Sequence, residues 1–331
     1  MVLNPRESAK LIASKAQMVK INDSGIEKLG NILVEEIESG KLSPSNFSQT
    51  DVHPKPTDKH AIDWIFVVDT LNFCFWHHKF EEGWVVNGLT GYFALCGAIN
   101  RAVKQGIDIL NPKFYSTVTK EKLAEILKSD NKVEIPLFDE RLKCLHEVGN
   151  VLLEKFDGTF ENVVKKANHS AKTLLNLVVE NFQCFKDEAD YNGQRVSLYK
   201  RAQILVGDIW ACFENKDLGY FEDIEEMTAF ADYRVPQTLL WFGALEYQED
   251  LQAYLDDNVI FKNGDDEEIE IRGCTIHAVE LLKEYVAKKV SSNKTINSIL
   301  IDHFLWDFRR KHAKEIEEKG LPFHKTFSIY Y

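Results

Sequence analysis

Two short segments carry groups suited to breaking a glycosidic bond. Ala231-Asp232-Tyr233-Arg234-Val235-Pro236-Gln237 gathers a carboxylate, a phenol, a guanidinium and an amide around one proline. Tyr199-Lys200-Arg201-Ala202-Gln203 puts a lysine at the head of an apolar helix. Glycoside cleavage passes through a sugar with positive character, and a fixed anion beside it lowers the barrier. An acid and a lysine converging on one pocket would meet that need. Each residue also has a plain structural reading. Asp232 stands just before Pro236, which suits the first turn of a helix, and Asp is a favoured cap. A lysine on the polar edge of a helix is ordinarily solvated.

Three further places pair acids with aromatics or suggest anion contact. In Val68-Asp69-Thr70-Leu71-Asn72-Phe73-Cys74-Phe75-Trp76, Asp69 and Asn72 lie inside a large apolar run. A buried carboxylate without a partner is costly, so Asp69 needs a partner or a ligand. Asp and Asn can read the amide-like edge of a base while Phe73, Phe75 or Trp76 stacks on it; alternatively the pair satisfies local backbone. Asp307 sits between Trp306 and Phe308, within helical reach of Arg310 and Lys311 for an ion pair. His53, before Pro54 in a polar loop, could donate to an anion. His77-His78 has no third ligand at metal spacing. With no phosphate loop and no Cys-x-x-Cys pair among the six cysteines, neither metal nor cofactor is expected.

The bulk composition narrows the function classes. The 331 residues carry 52 acidic and 40 basic side chains, a formal charge of −12, which argues against a grip on polymeric nucleic acid. One nucleotide phosphate needs only one or two cations and is not excluded. No apolar run approaches the ~20 residues of a membrane span, and Met1 to Lys20 has no signal-peptide core. A cytoplasmic protein with reduced thiols is expected.

Helical patterns must position these groups. Asn4-Pro5-Arg6-Glu7 reads as a cap with a first-turn proline. Ser24-Gly25-Ile26-Glu27 reads as a capping box, followed by Ile26, Leu29, Leu33 and Ile37 at helical spacing until Gly40. Thr90 caps a helix to Lys104. Further helices fit near 119–129, 138–155, 169–182, 196–213, 236–246, 248–256, 274–289 and 295–317. The length of 64–76 favours a helix. Ile269 to Arg272 alternates like a short strand, and 114–115 and 133–135 suggest brief strand pairing. The expectation is a mainly α, compact multi-helix fold with few short strands, residues 1–331 forming one domain with a possible N-terminal helical subregion at 1–58.

The ordered blocks VVDTLNFCFW (67–76), LTGYFALCGAINRA (89–102), LYKRAQILVGDIW (198–210), ADYRVPQTLLWFG (231–243), EIRGCTIHAVELL (270–282) and IDHFLWDFRR (301–310) resemble the queuosine salvage protein family. The resemblance runs from about residue 50 to the C-terminal tyrosines. It implies a fold similar to helical DNA glycosylases. It also implies hydrolysis of queuosine 5′-monophosphate to queuine and ribose 5-phosphate by a monomer, without cofactor, membrane or polymeric nucleic acid. The family's lysine and aspartate match Lys200 and Asp232. Its substrate pocket matches His53, Asp69, Asn72, Phe73, Phe93, Tyr233, Arg234, Trp241 and Asp307. Asp232 would stabilise the sugar cation or activate water, and Lys200 would orient it. Arg234, His53 or Arg201 would meet the phosphate. Queuine is a 7-deazaguanine, so the N7 position that purine glycosidases often protonate is absent and the leaving-group donor is left open. The rival readings are a non-catalytic nucleotide-binding or scaffold protein, and a glycosylase of polymeric nucleic acid.

Overall fold

The computed structural model describes residues 2–77 and 83–331. Helices α1 (Pro5–Lys15), α2 (Asp23–Glu38), α3 (Asn46–Gln49), α4 (Ala61–Leu71), α5 (Gly91–Lys104), α6 (Pro112–Tyr115), α7 (Lys120–Ile126) and α8 (Phe138–Lys155) make up the first half. The second half holds α9 (Phe160–Lys166), α10 (Ala171–Asn181), α11 (Lys200–Cys212), α12 (Val235–Phe242), α13 (Glu249–Asp256), α14 (Asp266–Ala287), α15 (Ser298–Lys311) and α16 (Ala313–Glu318). Among the described residues strands occur only as pairs. Val19–Ile21 runs antiparallel to Leu245–Tyr247, Val85–Val86 to Leu89–Thr90, and Glu188–Tyr191 to Gln194–Ser197, while Ile260–Phe261 runs parallel to Lys325–Thr326. The architecture is mainly α, as expected.

Local chemistry explains most boundaries. At α1 the Asn4 side chain accepts from the Glu7 amide at 2.9 Å and the Glu7 carboxylate accepts from the Asn4 amide at 3.3 Å, a complete capping box ahead of Pro5. The box expected at Ser24 does not form: α2 starts at Asp23, and its cap Asn22 makes no side-chain capping bond. Residues 64–76 are helical only to Leu71. Phe114 and Tyr115 lie in α6, residues 133–135 form no strand, and the 295–317 segment breaks at His312. The strand expected at Ile269 to Arg272 is instead part of α14. That helix is buried on every side from Glu268 to Ile276, so it shows no amphipathic period and its alternating acids and isoleucines imitate a strand.

This buried helix is the spine, with α1, α2, α12 and α15 packed around it. The approach to α1 is close: a Cβ on Gly273 would stand 2.6 Å from the Ile12 side chain. A second group packs α4 against α11 and α8. All six cysteines are buried and unbridged. No helix among the described residues is long and apolar enough to cross a membrane.

Candidate active site

A cavity of about 510 Å³ opens where α4, α5, α11, α12 and α15 meet, a size typical of small-molecule sites. Lys200 and Asp232 both line it, and both are nearly buried. Asp232 Oδ1 accepts the backbone N–H groups of Arg234 and Val235 at 2.7 and 2.8 Å, so the acid does cap α12 while facing the cavity. The two functions are compatible because the capping bonds occupy one oxygen. Among the described residues Lys200 makes no ion pair within 4.0 Å. Its pKa is lowered by burial, against the opposing pull of Asp232, Asp69 and Asp302.

Two more acids share this interior. Asp208 stands two turns after Lys200 on the same face of α11, with Ile204 between them, and all three line the cavity. Burial, then the neighbouring Asp69 carboxyl, pushes Asp208 well above the ordinary carboxylate range. Asp302 on α15 accepts the Phe230 amide at 2.8 Å, and burial followed by Asp232 raises its pKa too. Four carboxyls therefore surround one ammonium, and protonation of the most buried ones relieves the charge imbalance.

Buried arginines hold the walls. The last carbonyls of a helix lack intrahelical partners. At the end of α4, Arg201 donates to the carbonyls of Asp69 (3.2 Å) and Thr70 (2.5 Å), and Arg141 donates to those of Leu71, Phe73 (2.5 Å) and Cys74 (2.9 Å). Both guanidiniums also lie over the Phe73 ring, 4.9 and 4.2 Å from its centroid. This bracing lets the chain leave the helix at Asn72 and run along the cavity to Trp76. A third arginine, Arg272 of α14, joins the segments that carry Asp232 and Lys200. It donates to the carbonyl of Ala231 at 2.8 Å and to Asp187 at 2.5 Å, and Asp187 accepts the Lys200 amide at 3.2 Å. Glu268 completes the cluster at 2.8 Å from Arg272. Burial alone would lower the Arg272 pKa; Asp187 and Glu268 outweigh it and raise it. Tyr199, immediately before Lys200, takes a left-handed conformation at φ 48°, unusual for a bulky residue and costly unless its surroundings enforce it.

The cavity has two ends, each holding aromatic rings and a guanidinium: Arg310 lies over Phe93 at 4.4 Å in the first, and Arg234 over Phe323 at 3.9 Å in the second. At the first, Phe47 stacks on His53 at 4.0 Å, with Tyr92 and Phe93 at 5.5 and 5.8 Å, and Trp306 meets Phe93 edge-on. His53 Nδ1–H donates to the Phe47 carbonyl at 2.9 Å. Burial lowers the His53 pKa to about 4, so the ring is neutral and its Nε2, an acceptor, is buried without a hydrogen-bond partner among the described residues. At the other end Arg234 and Arg309 converge on one atom, donating to Gln237 Oε1 at 3.3 and 3.2 Å. Lys325 lines the same end. No carboxylate lies within 4.0 Å of any of the three cations among the described residues. Burial, then Arg234, lowers Arg309 to about 10. An uncompensated cluster of this kind is a ready anion site.

The residues expected from sequence divide accordingly. Lys200, Asp232, His53, Asn72, Phe73, Phe93, Tyr233 and Arg234 come together on the cavity, and Asp307 lies at its exposed mouth. Asp69 stands behind the wall, hydrogen-bonded to Asn72 Nδ2 at 3.3 Å, with Oδ2 unpartnered. Trp241 is elsewhere, packed on Phe308 and His312 under the Lys319 ammonium. Arg201 is committed to carbonyls and does not line the cavity, and a neutral His53 brings no positive charge to an anion. His78 lies outside the described residues, among which no cluster of three or more potential ligands could hold a metal ion. Sequence reasoning missed Asp208, Asp302, Arg309 and Arg272. The first two carried the signal that picked out Asp69, a carboxylate within an apolar run.

Fold and site together define a mainly helical protein with one buried, acid-lined pocket that also holds the cations Arg234, Arg309 and Lys325. The sequence profile of the queuosine salvage protein family matches residues 52–331, and the chain belongs to that family. Relatives run the full length. The Mus musculus protein is 42% identical with 99% of both chains covered, the Bos taurus protein 43% with 100% and 99%, and the Schizosaccharomyces pombe protein 35% with 98% and 99%. All three are called queuosine 5′-phosphate N-glycosylase/hydrolase.

Proposed function

We propose that this chain hydrolyses the N-glycosidic bond of queuosine 5′-monophosphate, releasing queuine and ribose 5-phosphate for salvage into tRNA modification. One observation carries the reading: a single cavity joins the Asp232–Lys200 centre to the paired guanidiniums of Arg234 and Arg309. The 5′-phosphate binds at those cations and Lys325. The base enters the aromatic end, where His53 Nε2 accepts one of its N–H groups and Phe93 offers a stacking face. Asp232, fixed through Oδ1, presents its carboxylate to the ribose. It stabilises the cationic sugar or takes the proton of the attacking water, and Lys200 orients it through charge rather than a direct bond.

The acidic balance supports a single nucleotide over a polymer, and six unbridged cysteines support a reducing, cytoplasmic setting. The cavity walls are drawn from Leu42 to Tyr331, which supports one domain over most of the chain. The direct test is incubation of the purified protein with queuosine 5′-monophosphate and detection of free queuine. Release is expected; folded protein that releases none refutes the proposal.

A further inference from the structure

Queuine leaves as a 7-deazaguanine. With carbon at position 7, no lone pair exists there to protonate, so the electron pair of the breaking C1′–N9 bond must be met by an acid elsewhere. We infer that Asp208 is that acid, giving its proton to the departing base. The inference rests on the N-glycosidase reading above and deepens it.

Three buried carboxyls line the cavity, and their bonding separates them. Asp232 is tied by two backbone N–H groups and Asp302 by one, whereas no described hydrogen bond from the backbone reaches Asp208. After burial, Asp232 acts most strongly on Asp302, whereas Asp69 acts on Asp208 more than Asp302 does, which groups Asp302 with the acid that serves the sugar. Asp208 is two turns further along α11, roughly 12 Å of helix axis from Lys200, towards the aromatic end. Around it are Asp69 of α4, Tyr92 and Cys96 of α5, Asp302 of α15, and Lys200 and Cys212 of its own helix. The Lys200 ammonium acts on it and favours its charged form. Burial and Asp69 keep the carboxyl protonated while the site waits, and the Lys200 ammonium stabilises the carboxylate left after transfer. A catalytic acid needs both states within reach.

The step balances. The C1′–N9 bond breaks and its electron pair goes to the base, which takes the Asp208 proton on nitrogen. Water adds to C1′ and loses a proton to Asp232. After the products leave, solvent returns that proton from Asp232 to Asp208.

The test compares two leaving groups. Queuosine 5′-monophosphate needs a proton on its base; 4-nitrophenyl ribofuranoside 5-phosphate releases a stable phenolate and needs none. Asp208→Asn is expected to lose at least ~100-fold in kcat on the first substrate, the scale of a lost general acid, and to stay within about fivefold of wild type on the second. Asp232→Asn should lose both. Equal losses by Asp208→Asn on the two substrates, or near-wild-type turnover of the nucleotide, overturn the assignment. If Asp208→Asn does not fold, wild type decides: its kcat on the nucleotide must fall at alkaline pH while that on the nitrophenyl substrate holds, and parallel profiles overturn it. Wild type that fails to release queuine refutes the underlying reading instead.

Discussion

Arg309→Gln separates phosphate recognition from folding, because the cation is costly to the empty protein and useful only to the loaded one. Its pKa falls from the ordinary 12.5 to about 10, first through burial and then through Arg234. At ~1.4 kcal/mol per tenfold change in proton affinity, the charge costs the empty fold ~3 kcal/mol, or ~1–2 once the solvent-facing part of the guanidinium is discounted. The substitution also removes the bond to Gln237, worth ~1 kcal/mol. Thermal unfolding of the empty variant should therefore match wild type or exceed it by a degree or two. A charge-assisted contact to phosphate is worth ~1.5–3 kcal/mol, so kcat/KM for queuosine 5′-monophosphate should fall ~10- to 100-fold. The value for queuosine nucleoside should change little. Inorganic phosphate should raise the melting temperature of wild type more than that of the variant. Equal losses on nucleotide and nucleoside, or a drop in stability of more than ~2 kcal/mol, would show that Arg309 braces the fold and does not meet the phosphate.

Three other outcomes are expected. Asp232→Asn should fold, since an amide oxygen can still cap α12, and should bind substrate while losing most turnover; retention of wild-type rate in a queuine-release assay would leave Asp232 as a cap only. Arg272→Met strands Asp187 and Glu268 as buried carboxylates and should cost ~3–5 kcal/mol in denaturant unfolding; a loss below 1 kcal/mol would contradict the brace. The third concerns pH. Asp69, Asp208 and Asp302 hold protons in the fold that the unfolded chain releases above pH ~4, so each removes stability as pH rises towards its folded pKa. His53, His303 and His324, lowered by burial to about 4, 4 and 3, remove stability as pH falls below ~6.5. The two sets oppose each other from ~4 to ~6.5; above that the acid set alone of the two still acts, and it should lower the melting temperature from pH 6.5 to 8.5, partly offset above pH ~7 by Cys144, which its hydrogen bond with Cys184 lowers to about 7. Asp208→Asn should flatten the decline; an unchanged slope would mean that Asp208 is ionised throughout.

Legibility from sequence followed how locally each role is encoded. Lys200 and Asp232 stand at helix starts marked by proline and apolar runs, so their positions could be read even though their meeting could not. Asp69 drew attention as a carboxylate in an apolar run, yet the same pattern at Asp208, inside Ile204 to Trp210, was equally plain and equally meaningful. Arg141, Arg201 and Arg272 carry no such mark. An arginine goes inside only when tertiary packing offers it free carbonyls or carboxylates, and those carbonyls exist because α4 stops early. Arg309 lies in a basic stretch that reads as an ordinary helix C-terminus, and only the arrival of Gln237 from α12 turns it inward. Trp241 has the composition of a stacking residue but packs on Phe308 and His312 and does not line the cavity.

Because Arg272 reaches both the carbonyl before Asp232 and the acceptor of the Lys200 amide, the two segments cannot loosen separately. The amide hydrogens of Lys200, Arg234 and Val235 should exchange with solvent as one slow class, opening only when α14 itself unfolds. Heat or denaturant would then abolish turnover in the same transition that melts the core, leaving no partly folded form that still binds nucleotide but has lost its chemistry.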